Sequence, residues 1–95
     1  MNSSIFIAGH RHAADSVILR RRQVETQTGY SRSTIYLRIQ QGLLTKAVSL
    51  GAKAVGWPAR EVDAINAARI AGSSDADIQR LVLDLESMRG FVGEG

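Results

Sequence analysis

The chain has 95 residues, of which 44% are hydrophobic and 22% are charged, and it contains no cysteine. This length leaves room for one compact domain with a modest core and excludes a large multidomain enzyme. The lack of cysteine excludes disulfides, thiolate catalysis and zinc–thiolate sites. No apolar run approaches the roughly 20 residues that span a bilayer, and the first residues lack the pattern of a signal peptide. We therefore expect a cytoplasmic protein without a membrane partner.

The charge is distributed unevenly along the chain, although the formal net charge is only +3. Residues 1–57 carry eight Lys or Arg against two acidic residues, a balance of +6, whereas residues 58–95 sum to −3. Ten of the twelve basic residues are Arg, whose planar guanidinium fits phosphate groups and guanine edges. This pattern indicates that a polyanion binds the first half of the chain.

Residues 1–15 show no sustained hydrophobic period and predict a flexible N-terminal arm. The arm contains both histidines of the chain, His10 and His12. Because no cysteine and no third ligand lies nearby, we expect no metal site and no other cofactor.

A short strand and two helices are predicted at the start of a domain that spans residues 16–72. The β-prone run at 17–19 predicts the strand, and residues 23–28 predict a brief helix that ends at Gly29. Ser31 suits the N-cap of the next helix, which continues to Gly42, and Tyr30 is placed to pack on Ile35 as a hydrophobic staple.

A β-hairpin, or wing, is predicted after the second helix. Two β-prone runs at 46–50 and 54–57 flank a glycine-containing turn at 51–53. Pro58 suits the first turn of a third helix, which is predicted to end near Gly72. Trp57 is expected to lie in the core beneath the wing.

A C-terminal helix is predicted at residues 73–90, with Ser74 as its N-cap, and residues 91–95 are predicted to be a frayed tail. Apolar residues recur along one face of this helix at helical spacing. The spacing fits either core packing or a partner surface. As candidate oligomerisation residues we take Ile78, Leu81, Val82, Leu85 and Met88.

These elements predict a mainly α fold with a small β-hairpin: a winged helix-turn-helix plus an extra C-terminal helix. With Ile35 and Ile39 facing the core, the second helix presents its other side to a major groove, where Arg32 suits guanine and Leu37 a thymine methyl. Lys53 at the wing tip suits a minor groove or the DNA backbone. The candidate DNA-binding residues are Arg20, Arg21, Arg22, Ser31, Arg32, Ser33, Thr34, Tyr36, Leu37, Arg38 and Lys53.

Two segments together carry a family resemblance. The segment T-G-x-S-R-S-T-[IL]-Y at 28–36, followed by V-x-L-G at 48–51 and Trp57, resembles the AlpA-like prophage regulatory proteins, and the likeness runs from Ile18 to Ala71. These proteins are similar to small excisionase and MerR-type winged helix-turn-helix DNA binders. The resemblance implies a transcription factor acting on an integrase gene, a recombination directionality factor, or both.

The sequence departs from the family pattern at several positions. Family members usually carry an apolar residue where Arg21 stands, a Phe-Pro pair where residues 44–47 stand, and Trp where Ile65 stands. We therefore expect a looser connection into the wing and a smaller aromatic core. Residues 73–89 lie outside the resemblance and are the best candidate for oligomerisation.

The sequence favours a sequence-specific protein that binds double-stranded DNA, and the resemblance implies that it is a regulator of a prophage or an integrative element. The second helix would lie in the major groove and the wing on the adjacent backbone or minor groove, with binding as a homodimer or a cooperative array. We expect no catalysis and no small-molecule ligand, because no nucleophile lies beside a base. Two alternatives remain: a recombination directionality factor (excisionase) that bends attachment-site DNA, and an interaction module that uses the C-terminal helix.

Overall fold

A computed structural model describes residues 16–94, with side chains described for residues 16–90. The predicted arm at residues 1–15, with its two histidines, lies outside the described residues. The predicted fold class is confirmed, since the described part contains four helices and a small sheet. The elements in chain order are β1 (Ile18–Leu19), α1 (Arg21–Thr28), α2 (Arg32–Gln40), β2 (Val48–Gly51), β3 (Ala54–Pro58), α3 (Ala59–Ile70) and α4 (Asp75–Glu94).

The turn between α1 and α2 forms as predicted. Gly29 has a φ of 78° and donates its N–H to the Glu25 carbonyl at 2.8 Å, which ends α1 in the left-handed conformation that glycine adopts at low cost. The Ser31 hydroxyl accepts the backbone N–H of Thr34 at 3.2 Å and caps α2. Helix α1 begins earlier than predicted, at Arg21.

The three strands form one antiparallel sheet in the order β1-β3-β2, so β3 is central. Leu19 lies opposite Trp57, and Val48 lies opposite Gly56. Pro58 ends β3, opposite Ile18, with an extended ψ of 129°, and α3 begins one residue later. The prediction that Pro58 occupies the first helical turn is therefore wrong, because proline's fixed φ also suits the end of a strand.

The core is centred on Trp57, as predicted. Its ring is fully buried and its Nε1 donates to the Thr45 carbonyl at 2.9 Å. Trp57 is the one aromatic residue among the buried positions of residues 16–90, and Tyr30 is partly buried against the same cluster. The smaller aromatic core expected relative to the family stays a prediction. The other buried apolar residues are Leu19, Val24, Ile35, Leu43, Leu44, Val62, Ile65, Ile78, Val82 and Leu85.

The start of the C-terminal helix is confirmed, because the Ser74 hydroxyl accepts the N–H of Asp77 at 3.1 Å. Its end is not where the sequence placed it. Helix α4 continues through Gly90 to Glu94, so the predicted stop at Gly90 and frayed tail at 91–95 are wrong over residues 91–94. A glycine inside a helix costs only about 1 kcal/mol relative to alanine, and this cost alone does not end a helix.

The apolar stripe of α4 is largely core packing, one of the two alternatives that its spacing allowed. Ile78, Val82 and Leu85 are buried in the same cluster as Trp57, so they are not available for oligomerisation while this core is packed. Leu81 is partly buried against that cluster, and Met88 is 47% exposed. A role in self-association stays a prediction for these last two residues.

The connection from α2 into the wing is held firmly, which corrects the expected loosening. Leu44 and Thr45 are buried. The backbone of Lys46 is bonded on both sides, since its N–H donates to Glu86 Oε2 at 2.9 Å and its carbonyl accepts from Arg89 Nη2 at 2.7 Å. Contacts from α4 therefore hold the backbone of this connection.

Candidate nucleic-acid interface

Helix α2 presents one continuous exposed face. Ile35 is buried and Ile39 is half-buried, so these residues attach the helix to the core as predicted. Tyr36 is 42% exposed and Leu37 is 48% exposed. The exposed part of this face consists of Arg32, Ser33, Tyr36, Leu37 and Gln40.

The exposed face of α2 adjoins the wing through an aromatic contact. The rings of Tyr36 and Trp57 have their centroids 6.5 Å apart and their planes inclined at 59°, a geometry within the favourable range for aromatic pairs. Because Trp57 belongs to β3, this contact places the middle of α2 beside the base of the wing. Sequence reasoning placed Trp57 in the core but missed this pair.

Hydroxyl groups at the start of α2 form a small capping network. The Ser31 hydroxyl donates to Thr34 Oγ1 at 2.9 Å while it accepts the Thr34 N–H, and it lies 3.3 Å from Ser33 Oγ. Ser31 and Thr34 are therefore engaged with each other. Their arrangement fixes the helix N-terminus, where backbone N–H groups and the helix dipole favour an anion.

The three consecutive arginines of α1 and its N-cap have different surroundings. Arg20 donates from Nε to the Val55 carbonyl at 3.1 Å, which anchors its guanidinium on the wing strand β3. Arg21 is ion-paired with Glu25. Arg22 is exposed, and its guanidinium has no partner among the described residues. The triplet therefore contains one anchored, one neutralised and one free cation.

The side chains of the remaining candidate cations also differ in whether they have a partner within the protein. Arg38 is half-buried, lies over the Tyr30 ring at 5.5 Å and donates to Gln41 Oε1 at 3.0 Å. Arg32 at the start of α2 and Lys53 at the wing tip are exposed and have no side-chain partner within residues 16–90. The wing tip itself is a tight turn in which Ala52 has a φ of 46°.

The electrostatic character of the two halves of the domain is opposite. Within residues 16–60, Glu25 is the one acidic residue, and Arg21 neutralises it. Exposed carboxylates lie instead on α3 and α4, at Asp63, Asp75, Asp77 and Asp84. Glu25, which pairs with Arg21, is thus the one carboxylate on helices α1 and α2 and the wing, and the other cations of these elements have no carboxylate partner on them.

A buried ion pair joins α3 to α4, and sequence reasoning missed it. Glu61 of α3 is 0% exposed and accepts two hydrogen bonds from Arg89, at 2.8 and 2.7 Å. This bonding raises the pKa of the Arg89 guanidinium above its ordinary value, although burial opposes the shift. The signal in the sequence was Glu61 itself, which directly precedes the core residue Val62 on a helix.

No helix within residues 16–94 combines the length and the apolar character that crossing a bilayer requires. Over the same residues, no group of three or more His, Cys, Asp or Glu side chains is placed to hold a metal ion.

The sequence of this chain is similar to those of known proteins. A family model described as "Prophage CP4-57 regulatory protein (AlpA)" matches residues 17–70, more than half of the chain and the whole of β1 to α3. "Uncharacterized protein ORF88" of Enterobacteria phage P4 is 54% identical over 44 residues, which cover 46% of this chain and 50% of that protein. The chain thus spans about half the length of the curated relative it matches, and no solved structure matches. The chain belongs to the AlpA family of prophage regulatory proteins.

Proposed function

We propose that this protein is a sequence-specific transcriptional regulator that binds double-stranded DNA in a prophage or integrative element. Helix α2 lies in the major groove, and the β2–β3 wing contacts the adjacent backbone or minor groove. The observation that carries this proposal is the exposed face of α2, on which a free Arg32 stands beside Tyr36 and Leu37 in a region without an unpaired carboxylate. Membership of a regulatory family supports it.

Base readout in this proposal belongs to the exposed side chains of α2. Arg32 has a free guanidinium whose planar fork fits the O6 and N7 acceptors of guanine. The exposed Leu37 offers apolar contact to a thymine methyl, and the Ser33 hydroxyl pairs with either donor or acceptor edges. Ser31 and Thr34, which bond to each other, orient the N-terminus of α2 toward a phosphate.

Phosphate contacts belong to the cations that flank α2. Arg22 and Lys53 are free to pair with phosphates, and Arg20 is already oriented by its bond to β3. Arg21 and Arg38 contribute less, because each must first give up a partner within the protein.

The test is selection of bound duplexes from a random library, followed by fluorescence anisotropy of the selected and scrambled duplexes at two salt concentrations. Arg32→Ala is expected to cost about 1–3 kcal/mol on the selected site and to remove most of the sequence preference. The matched control is Arg80→Ala, which removes the same charge from an exposed position on α4. Equal losses in the two variants, or no enriched motif, would contradict the proposal.

Measurements on the same selected duplex distinguish the proposed regulator from a recombination directionality factor and from a protein interaction module. A strong bend of the bound duplex, measured by fluorescence energy transfer between its ends, would favour a recombination directionality factor. A complex whose affinity does not change with salt would favour a protein interaction module. Because one small domain makes few base contacts, we propose binding as a homodimer or a cooperative array. Sedimentation of the complex would measure the number of protein copies on the duplex.

A further inference from the structure

Three side chains of α4 bond to the backbone of the connector that joins α2 to β2, residues 41–47. Gln79 Nε2 donates to the Gln41 carbonyl at 2.9 Å. Glu86 Oε2 accepts the Lys46 N–H at 2.9 Å, and Arg89 Nη2 donates to the Lys46 carbonyl at 2.7 Å. These bonds come from a helix that lies outside the part of the chain matched by the family.

The bonds hold the two ends of the connector. Gln41 is the C-cap residue of α2, and Lys46 lies two residues before β2 begins. Between them, Leu43 and Leu44 are buried in the cluster that also contains Ile78 of α4. Helix α4 therefore contacts the connector at its start, in its buried middle and at its end.

The position of Arg89 is itself fixed from a third element. Its Nε and Nη2 donate to the two carboxylate oxygens of Glu61, which is fully buried in α3. A bidentate pair of this kind constrains the guanidinium plane as well as its position. Arg89 thus connects α3 to the backbone just before the wing through hydrogen bonds to both.

We propose that α4 acts as a brace that sets the orientation of the wing relative to α2, with Gln79, Glu86 and Arg89 as positioning residues for DNA readout. The consequence for DNA rests on the proposed function, whereas the brace itself exists without DNA. Specific binding requires α2 in the groove and the wing on the duplex at the same time, so a wing of variable orientation loses specific affinity first. Binding to scrambled DNA depends mainly on phosphate charge and changes less.

The test uses the double variant Gln79→Ala/Glu86→Ala in the full chain. This variant keeps both partners of the buried Arg89–Glu61 pair, so we expect the fold to be retained. We expect the ratio of affinities for the selected and scrambled duplexes to fall about tenfold, the effect of two ordinary hydrogen bonds. Asp84→Ala, which removes one exposed acidic charge from the same helix, should keep the ratio. Glu86→Gln should also keep it, because its amide oxygen can accept the Lys46 N–H.

A second measurement on the free protein separates the brace from the proposed function. Residual dipolar couplings should fit one orientation of β2–β3 relative to α2 in the original protein and a broader distribution in the double variant, with faster amide exchange at Lys46. Unchanged couplings would overturn the brace. Changed couplings with an unchanged affinity ratio would overturn the positioning role. A lack of sequence preference in the original protein would refute the proposed function, while the couplings would still decide the brace.

Discussion

Residues 16–58 and helix α4 differ in how some of their charged side chains are used. In the first region, the side chains of Arg22, Arg32 and Lys53 are exposed and have no carboxylate partner among the described residues. In α4, Arg89 is directed inward to Glu61, and Glu86 accepts a backbone N–H. The first region therefore leaves cations available to an anionic partner, whereas α4 uses Arg89 and Glu86 to hold the domain together.

The end of the family match at residue 70 is therefore not the end of the folding unit. Helix α4 supplies Ile78, Val82 and Leu85 to the same core that contains Trp57. A small domain buries a limited share of its surface, so three further buried apolar side chains are a large fraction of its core. We infer that the matched region of this chain needs α4 for its stability.

The largest expected effect comes from removing Arg89, the side chain of α4 that pairs with the buried Glu61. Arg89→Met leaves the fully buried Glu61 carboxylate without its partner and also frees the Lys46 carbonyl. An uncompensated buried charge is costly, and we expect the free energy of unfolding to fall by about 3–5 kcal/mol. Urea denaturation followed by circular dichroism measures this change.

The control for Arg89→Met is the double variant Glu61→Gln/Arg89→Met. It removes the buried charge together with its partner, and part of the lost stability should return, because a buried neutral amide is less costly than an unpaired carboxylate. A loss below about 1 kcal/mol in the single variant would mean that Glu61 is solvated in solution.

The next variant tests whether the apolar stripe of α4 belongs to this core. Ile78→Ala removes a fully buried side chain and should lower the free energy of unfolding by about 3 kcal/mol through lost burial and a residual cavity. Leu83→Ala on the same helix removes a side chain that is mostly exposed, and it should change stability by less than about 0.5 kcal/mol. Equal effects would contradict the packing of α4 on the core.

Local signals in the sequence predicted much of the fold. Gly29 and Ser31 specify the turn between α1 and α2 by their own backbone and capping preferences, without help from distant residues. The glycine at 51 similarly indicated the wing turn, although the strained residue there is Ala52. These features depend on neighbours within a few positions, which is the range over which sequence patterns are informative.

The features that the sequence did not predict depend on long-range partners. The bond between Glu86 and the backbone of Lys46 joins residues 40 positions apart, and helical spacing says nothing about such a partner. The stripe of α4 fits a core or an interface equally well, and only the burial of Ile78 distinguishes them. In the candidate interface, spacing identified the exposed face of α2 but not that Arg21 and Arg38 already have partners within the protein.

The smallest expected effect comes from substituting Lys53, the exposed cation at the wing tip. Lys53→Ala should weaken binding to the selected and scrambled duplexes alike, by a few-fold, because Lys53 contacts phosphate in the proposed complex and reads no base. The slope of log affinity against log salt should become shallower by about 1. Arg80→Ala removes the same charge from α4 and should leave the slope unchanged if only the first region faces DNA. Equal slopes in the two variants would show that net charge alone, and not its placement, governs the association.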